Sequence, residues 1–406
     1  MAYASYHILI ACWLSPACLR AGDLADYTLW GFIVLAAFLL LAHSGKIEQF
    51  VQAWKANWAI ALFILYSLVS VLWSVMPVRS IHTFFVMIAS ALTASIFAVI
   101  RPPMTIFRLL YGFTILAAIL CLLTVVISPE VGIHGDQVWR GAWRGIFVHK
   151  NDLGSLMALG NGLSLLFFMG TMERRNKVMA SFSYALTLFL MIMSRSTTAL
   201  VVWFVLNGLT AAYFAWIKWG DRVQRRWVVY GAGILAGAGA LSIFAIVNLS
   251  GKSFDLTGRV PLWTNLLENV ISEKPWFGYG LETLWQLPEF QKWASVTSGW
   301  GDEIVVVNGH NGYIDILLYL GAVGLALLVV LLVHGFGKLL TRARTGRMWL
   351  HFFPLLTLTY FLIANIAMDY ILEFESFHWF VLVAIFFLPP LDEFDAVRDV
   401  PDGVSE

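Results

Sequence analysis

The stretch 309-GHNGYIDILLYLGAVGLALLVVLLV-333 decides how this chain is read. It opens on Gly309-His310-Asn311 and runs from Tyr313 to Val333 with Asp315 as its only charged residue. A helix that crosses a bilayer needs about 20 predominantly apolar residues, so the run predicts a transmembrane helix entered from a polar segment. That segment, Leu249 to Gly309, lies between long apolar runs. A membrane protein that gathers its titratable residues into one such loop is expected to do its chemistry there.

Composition sets the same class. The 406 residues are 60% hydrophobic and 13% charged, with a mean hydropathy of +0.78, against roughly 25% charged in a soluble domain. A net charge of +1 argues against a nucleic-acid partner. Cys12, Cys18 and Cys121 stand in apolar runs without metal-ligand spacing and read as packing residues. Twelve apolar segments follow in order: Tyr6–Leu19, Tyr27–Ala42, Trp58–Trp73, Ile81–Ile100, Ile106–Ile127, Leu153–Gly170, Val178–Met193, Thr197–Ile217, Val228–Val247, Tyr313–Val333, Trp349–Met368 and Phe377–Leu388. The first is interrupted by Pro16 and lacks the basic flank of a cleavable signal, so it reads as a short retained span. Backbone groups in hydrocarbon must be satisfied internally, and no alternating pattern suggests a barrel, so each span is expected to be helical. The fold class is therefore an all-α integral membrane protein of about 12 transmembrane helices. It divides into spans over residues 1–248, a loop over 249–309, spans over 310–390 and a tail over 391–406.

Lys and Arg orient these spans. With a cytoplasmic N-terminus the even-numbered connections hold 15 of them and the odd-numbered ones 10, of which seven lie in just two loops, Ser128–Asp152 and Leu249–Gly309. The two long polar loops are thus expected outside, facing a bacterial periplasm, with the tail in the cytoplasm.

In the larger loop, Gly258-Arg259-Val260-Pro261 leads into Leu262, Trp263, Leu266, Leu267, Val270 and Ile271, an apolar stripe at helical spacing. Pro261 suits a first helical turn, and the whole predicts an amphipathic helix on the membrane surface. Arg259 at its start is either a snorkelling anchor or, with free backbone N–H groups, an anion site. Trp276-Phe277-Gly278-Tyr279-Gly280 then requires unusual backbone angles. His310 is either an interfacial structural histidine or a proton acceptor at the membrane edge. The other outer loop reads RGAWRGIFVHKNDLG over 140–154, with Asn151 or Asp152 as the expected cap of the next span. A third outer turn reads Ser194-Arg195-Ser196-Thr197-Thr198. Arginines on the side that positive charge avoids call for a negative partner, and a diphosphate lipid would supply one. Trp276, Trp285, Trp293 and Trp300 are either belt residues or platforms for sugar rings. Asp302, Glu303 and Asp315, close to His310 in sequence, are either a solvated loop or acidic groups for a metal. Asn365, Asp369, Glu373, Glu375 and His378, on the same side, are either a short loop with helix caps or residues that close the cavity or bind acceptor sugar.

Taken in order, RGIFVHKNDLG (144–154), SRSTTAL (194–200), GRVPLWTNLLENVISEKPWFGYGLETLW (258–285) and NGHNGYIDILLYLGAVGL (308–325) resemble the O-antigen ligase and polymerase superfamily. The His-Lys-Asn element is most similar to its exopolysaccharide, succinoglycan-type polymerase branch. The resemblance implies a GT-C-type helical fold and a metal-independent, cofactor-free glycosyltransferase of the bacterial inner membrane. Its donor would be an undecaprenyl-diphosphate-linked oligosaccharide and its acceptor a growing polysaccharide, with the bilayer, a chain-length regulator and export machinery as further partners. By position it implies His310 and Arg259 as catalytic residues. Arg144, His149, Lys150, Asn151, Arg195, Trp263, Asn311 and Tyr313 fall to substrate binding. The chemistry is coherent: a hydrolase needs an acid to protonate a poor leaving group, whereas a diphosphate leaves unprotonated and asks for cationic donors and a base. A ligase would use the same residues. A transporter would instead place ionisable groups near the bilayer midplane, where these spans are almost free of charge.

Overall fold

The computed structural model describes residues 23–135, 139–219, 259–299, 306–345, 348–371 and 377–389. Two expected spans, Tyr6–Leu19 and Val228–Val247, lie outside these residues, as do Cys12, Cys18, Trp300, Asp302, Glu303, Glu373 and Glu375. Among the described residues the secondary structure is helical. The one extended feature among them is an isolated antiparallel bridge between Ile133 and Trp143, consistent with an all-α membrane protein.

The longer helices are α1 (Asp23–Ser44), α2 (Ile47–Ala56), α3 (Trp58–Val69), α4 (Pro77–Ile100), α5 (Pro103–Ile127), α6 (Lys150–Gly170), α7 (Arg174–Met193), α8 (Thr197–Trp219), α9 (Arg259–Asn269), α10 (Pro288–Thr297), α11 (Gly312–Thr345), α12 (Phe353–Ala364) and α13 (Phe377–Phe387). Seven of them are long and apolar enough to cross a membrane. The count becomes eight if α2 and α3, with its 3-10 extension to Trp73, form one span bent by 79°. Asn57 makes that bend: its Nδ2 donates to the Ala53 carbonyl at 2.8 Å and its own N–H closes the end of α2, capping carbonyls that a continuous helix would use. Two expected spans are short. Trp349–Met368 is a turn followed by α12, and α13 has 11 residues, about 17 Å of helix against the ~30 Å of a hydrocarbon core.

The chain forms two compact units. The first comprises residues 1–102, 254–337 and 365–406; the second comprises 103–253 and 338–364. In the first, α4 packs between α1 and α13, and the Trp379 indole donates to the Met87 carbonyl at 3.1 Å. In the second, α6 is the central helix, against α7, α8 and α12. Its small residues let backbones approach closely: a β-carbon on Gly160 would lie 2.9 Å from Thr114, and one on Gly162 3.1 Å from Leu206. Asn161 stands mid-span and is satisfied, donating to the Tyr184 carbonyl and Thr187 hydroxyl and accepting from the Trp203 indole at 2.7 Å.

The sequence predicts an unbroken helix over Tyr313–Val333, and here the structure differs. Within α11, Gly321 has φ 65° and ψ −167°, which splits the helix. The freed carbonyls of Leu318, Tyr319 and Leu320 accept from Tyr279 N–H (3.0 Å), Gly280 N–H (2.9 Å) and the Tyr66 hydroxyl (3.0 Å). Beyond the break, Ala322 and Val323 donate to the carbonyls of Pro275 (2.8 Å) and Trp276 (3.2 Å). The 275–280 loop thus replaces the missing intrahelical bonds, the condition for irregular backbone in an apolar setting. The approach leaves no room for side chains: a β-carbon on Gly321 would run into the Trp276 carbonyl, and one on Gly278 would lie 2.6 Å from the Tyr319 carbonyl oxygen.

Candidate functional site

Each unit carries one cluster of the polar residues singled out in the sequence. In the first, the predicted amphipathic helix is α9, beginning at Arg259 with Pro261 in its first turn. Its stripe divides. Leu262 and Leu266 are fully buried in the protein, whereas Val260 and Leu267 are exposed. From this helix the Trp263 indole donates to the Gly309 carbonyl at 2.8 Å. The Gly309 N–H donates to both carboxylate oxygens of Asp315, at 3.0 Å each. Asp315 Oδ1 also accepts from the Trp285 indole at 2.9 Å.

With both backbone groups of Gly309 held, the next residue takes a rare shape: His310 has φ 49°, the left-handed region that few non-glycine residues enter. Its N–H donates to Asn308 Oδ1 at 3.1 Å, and the side chain is half-buried. Asn311 then caps α11, its Oδ1 accepting from the N–H groups of Tyr313 (3.0 Å) and Ile314 (3.3 Å). The Gly312 N–H donates to the carbonyls of Asn365 and Met368, each at 3.0 Å, and a side chain at 312 would collide with the Asn365 carboxamide. Arg259, Trp263 and Tyr313 are half-buried around this turn's elements.

The loop that carries this architecture is tied down at a further point. Arg79 pairs with Glu282 at 3.1 Å, the Thr83 hydroxyl donates to the same carboxylate oxygen at 2.7 Å, and Arg79 Nη1 lies 3.1 Å from His82 Nδ1. Glu282 itself has φ 55°. A partly buried ion pair of this kind fixes register more dependably than it adds stability. Lys274 lies over the Tyr279 ring at 4.8 Å, and burial there lowers its ammonium pKa, opposed by Glu273.

In the second unit, α6 begins at Lys150, and its cap is His149 rather than Asn151 or Asp152: the imidazole Nδ1 accepts from Asn151 N–H at 3.2 Å. Asn151 is instead buried inside the first turn, where its Oδ1 accepts from the Ser196 hydroxyl at 2.9 Å. His149 also meets the Trp139 ring edge-on at 4.6 Å and the His134 ring at 5.6 Å, and His134 Nε2 accepts from Lys150 N–H at 3.2 Å. Lys150 Nζ donates to the Arg195 carbonyl at 3.2 Å, and Arg195 Nη1 reaches the Arg140 carbonyl at 3.4 Å. Arg144 Nε donates to the Val131 carbonyl at 2.7 Å. Arg195 is exposed and, like His310, left-handed, with φ 51°. The structure therefore gathers His149, Lys150, Asn151 and Arg195 into one cluster and places Arg144 on the loop leading into it.

Several participants were not legible in the sequence. Asp315 is fully enclosed, with 0% exposure, so it is no part of a solvated loop. Trp285, at 1% exposure and bonded to Asp315, is neither a belt residue nor a sugar platform. His134, His82 and Glu282 carry no local motif; only the fold brings them to their partners. Asn365 and Asp369 are buried rather than capping a solvated turn. Among the described residues no three His, Cys, Asp or Glu side chains come together as a metal site.

Residues 182–329 match the family model described as O-antigen ligase. The match takes in Arg195, Arg259, Trp263, His310, Asn311 and Tyr313, and leaves out Arg144 and His149–Asn151. No curated protein matches the chain. Four ordered motifs, a helical membrane architecture among the described residues and this match over 182–329, about a third of the chain, together support a likeness to the O-antigen ligase and polymerase superfamily.

Proposed function

We propose that the protein is a polysaccharide polymerase of the bacterial inner membrane, joining lipid-diphosphate-linked oligosaccharide repeats to a growing glycan at the periplasmic face. The observation that carries this reading is the His310 turn: an imidazole presented on a left-handed residue, held through Gly309 and Asn311, at the start of α11 and bonded to the arginine-led helix α9. An acceptor hydroxyl attacks the anomeric carbon of the donor, and its proton passes to the His310 imidazole. The bond from that carbon to the diphosphate oxygen breaks, and the lipid diphosphate departs with its charge received by Arg259 at the positive N-terminal end of α9. Neither metal nor cofactor is required, because the leaving group needs no protonation. Arg144, Arg195, His149, Lys150 and Asn151 serve substrate binding, as do Trp263, Asn311 and Tyr313. In this reading the fold is of GT-C type with about 12 spans, and the 249–309 loop is its periplasmic part.

The test is to incubate purified protein with an undecaprenyl-diphosphate-linked oligosaccharide, without metal or nucleotide, and resolve the products by size. A ladder of lengthened glycan, lost in His310→Ala, is expected. A second reading, ligation of finished glycan to another acceptor, is favoured by the description of the matched family itself. Transfer to an added lipid or protein acceptor without a ladder would establish it instead.

A further inference from the structure

We propose that Asp315 is a positioning residue for His310, an inference that rests on the transfer chemistry proposed above. An acidic residue in the first turn of a helix ordinarily answers the helix's own N–H groups. In α11 that duty falls to Asn311, and both oxygens of Asp315 turn back six residues to the Gly309 N–H. The Trp285 indole closes the remaining side of Oδ1. A buried carboxylate is costly unless satisfied, and an apolar residue at this enclosed position would avoid that cost. The carboxylate is therefore explained by what it holds.

What it holds is one half of a clamp. Asp315 fixes the N–H of Gly309 and Trp263 fixes its carbonyl, which sets the peptide that enters His310. The left-handed conformation is unfavourable for a non-glycine residue, and beside a glycine it relaxes unless the flanking peptide is pinned. Asp315 is enclosed and does not reach substrate; it acts through the backbone. The fit is close from the other side too, because a β-carbon on Gly309 would lie 2.8 Å from Asp315 Oδ1.

Three variants of the full-length protein in detergent test this: Asp315→Ala, Asp315→Asn and Gly309→Ala. Two readouts are taken, polymer formation per folded molecule and the rate at which diethyl pyrocarbonate modifies His310, followed by peptide mass spectrometry. Asp315→Ala and Gly309→Ala are expected to lower kcat about 10- to 100-fold with the donor KM nearly unchanged, and to speed His310 modification severalfold. Asp315→Asn keeps one acceptor oxygen for the Gly309 N–H and is expected to restore most of the rate and the slow modification. An unchanged modification rate in both crippled variants overturns the proposal, as does a normal kcat in whatever Asp315→Ala protein folds. If His310→Ala still makes polymer, the transfer reading falls, while the modification rates decide the Asp315 clamp on their own.

Discussion

Among the described residues, His310 and Arg195 are the two basic ones found in the left-handed region, at φ 49° and 51°, and the contrast between their surroundings is instructive. His310 sits beside a peptide gripped by an enclosed carboxylate and an indole, in a turn whose next residue caps a helix. Arg195 is exposed, and its neighbourhood is tied by cations donating to carbonyls: Lys150 to Arg195, and Arg195 to Arg140. Strained backbone persists only where its surroundings over-determine it, and two different devices supply that here. A carbonyl orients a cation without cancelling its charge, which suits a surface that binds an anion. A clamp of buried groups on the neighbouring peptide orients an imidazole through its backbone, which suits proton transfer.

The sharpest way to break this contrast is at His310 itself. His310→Ala is expected to lower polymer formation at least about 100-fold at normal membrane insertion, the scale of a general base, read as the rate of ladder growth; normal polymer would end its special role. Next in size is a structural loss. Gly321→Ala forces a side chain into left-handed backbone against the Trp276 carbonyl and should cost about 1–3 kcal/mol or more, seen as a lower midpoint in thermal unfolding in detergent. An unchanged midpoint would show that the 275–280 loop does not depend on the break.

On the Arg195 side the expected effects are smaller and fall on binding. Arg195→Ala and Arg144→Ala should each raise the donor KM about 10-fold with little change in kcat, as for loss of a charge-assisted hydrogen bond, measured by initial rates against donor concentration. A fall in kcat instead would put these arginines with His310. Arg195→Gly removes the same cation and also releases the strain, so it should be more stable than Arg195→Ala by about 1 kcal/mol in denaturation midpoints. Trp263→Phe removes one half of the Gly309 clamp and should lower kcat only a few-fold, in keeping with about 1 kcal/mol for a single hydrogen bond.

Much of this was readable in the chain. Apolar runs of about 20 residues announce spanning helices because hydrocarbon leaves the backbone no other partner. The helix led by Arg259 and Pro261 and the turn at Gly278–Gly280 are local events with local signals, and they stand where the sequence puts them. The break at Gly321 was not legible. A lone glycine in an apolar run signals nothing by itself, and its reason is a loop some 40 residues upstream that offers Pro275 and Trp276 carbonyls to the far half of the helix. The same holds for Asp315. Its spacing from His310 suggests a wet loop end, and its burial follows from Trp285, 30 residues away in sequence.

Alone, then, the sequence determined the solvent in which this protein lives and the helices it must form, because hydropathy and backbone satisfaction act within one segment. It also carried the resemblance to a family, through four short motifs in order, and a family model matches over residues 182–329. Which carboxylate is enclosed, which tryptophan is a hydrogen-bond donor rather than a surface ring, and which helix is split were decided only in three dimensions. The physical reason is that a buried polar group is explained by the partner that satisfies it, and here those partners come from distant stretches of chain.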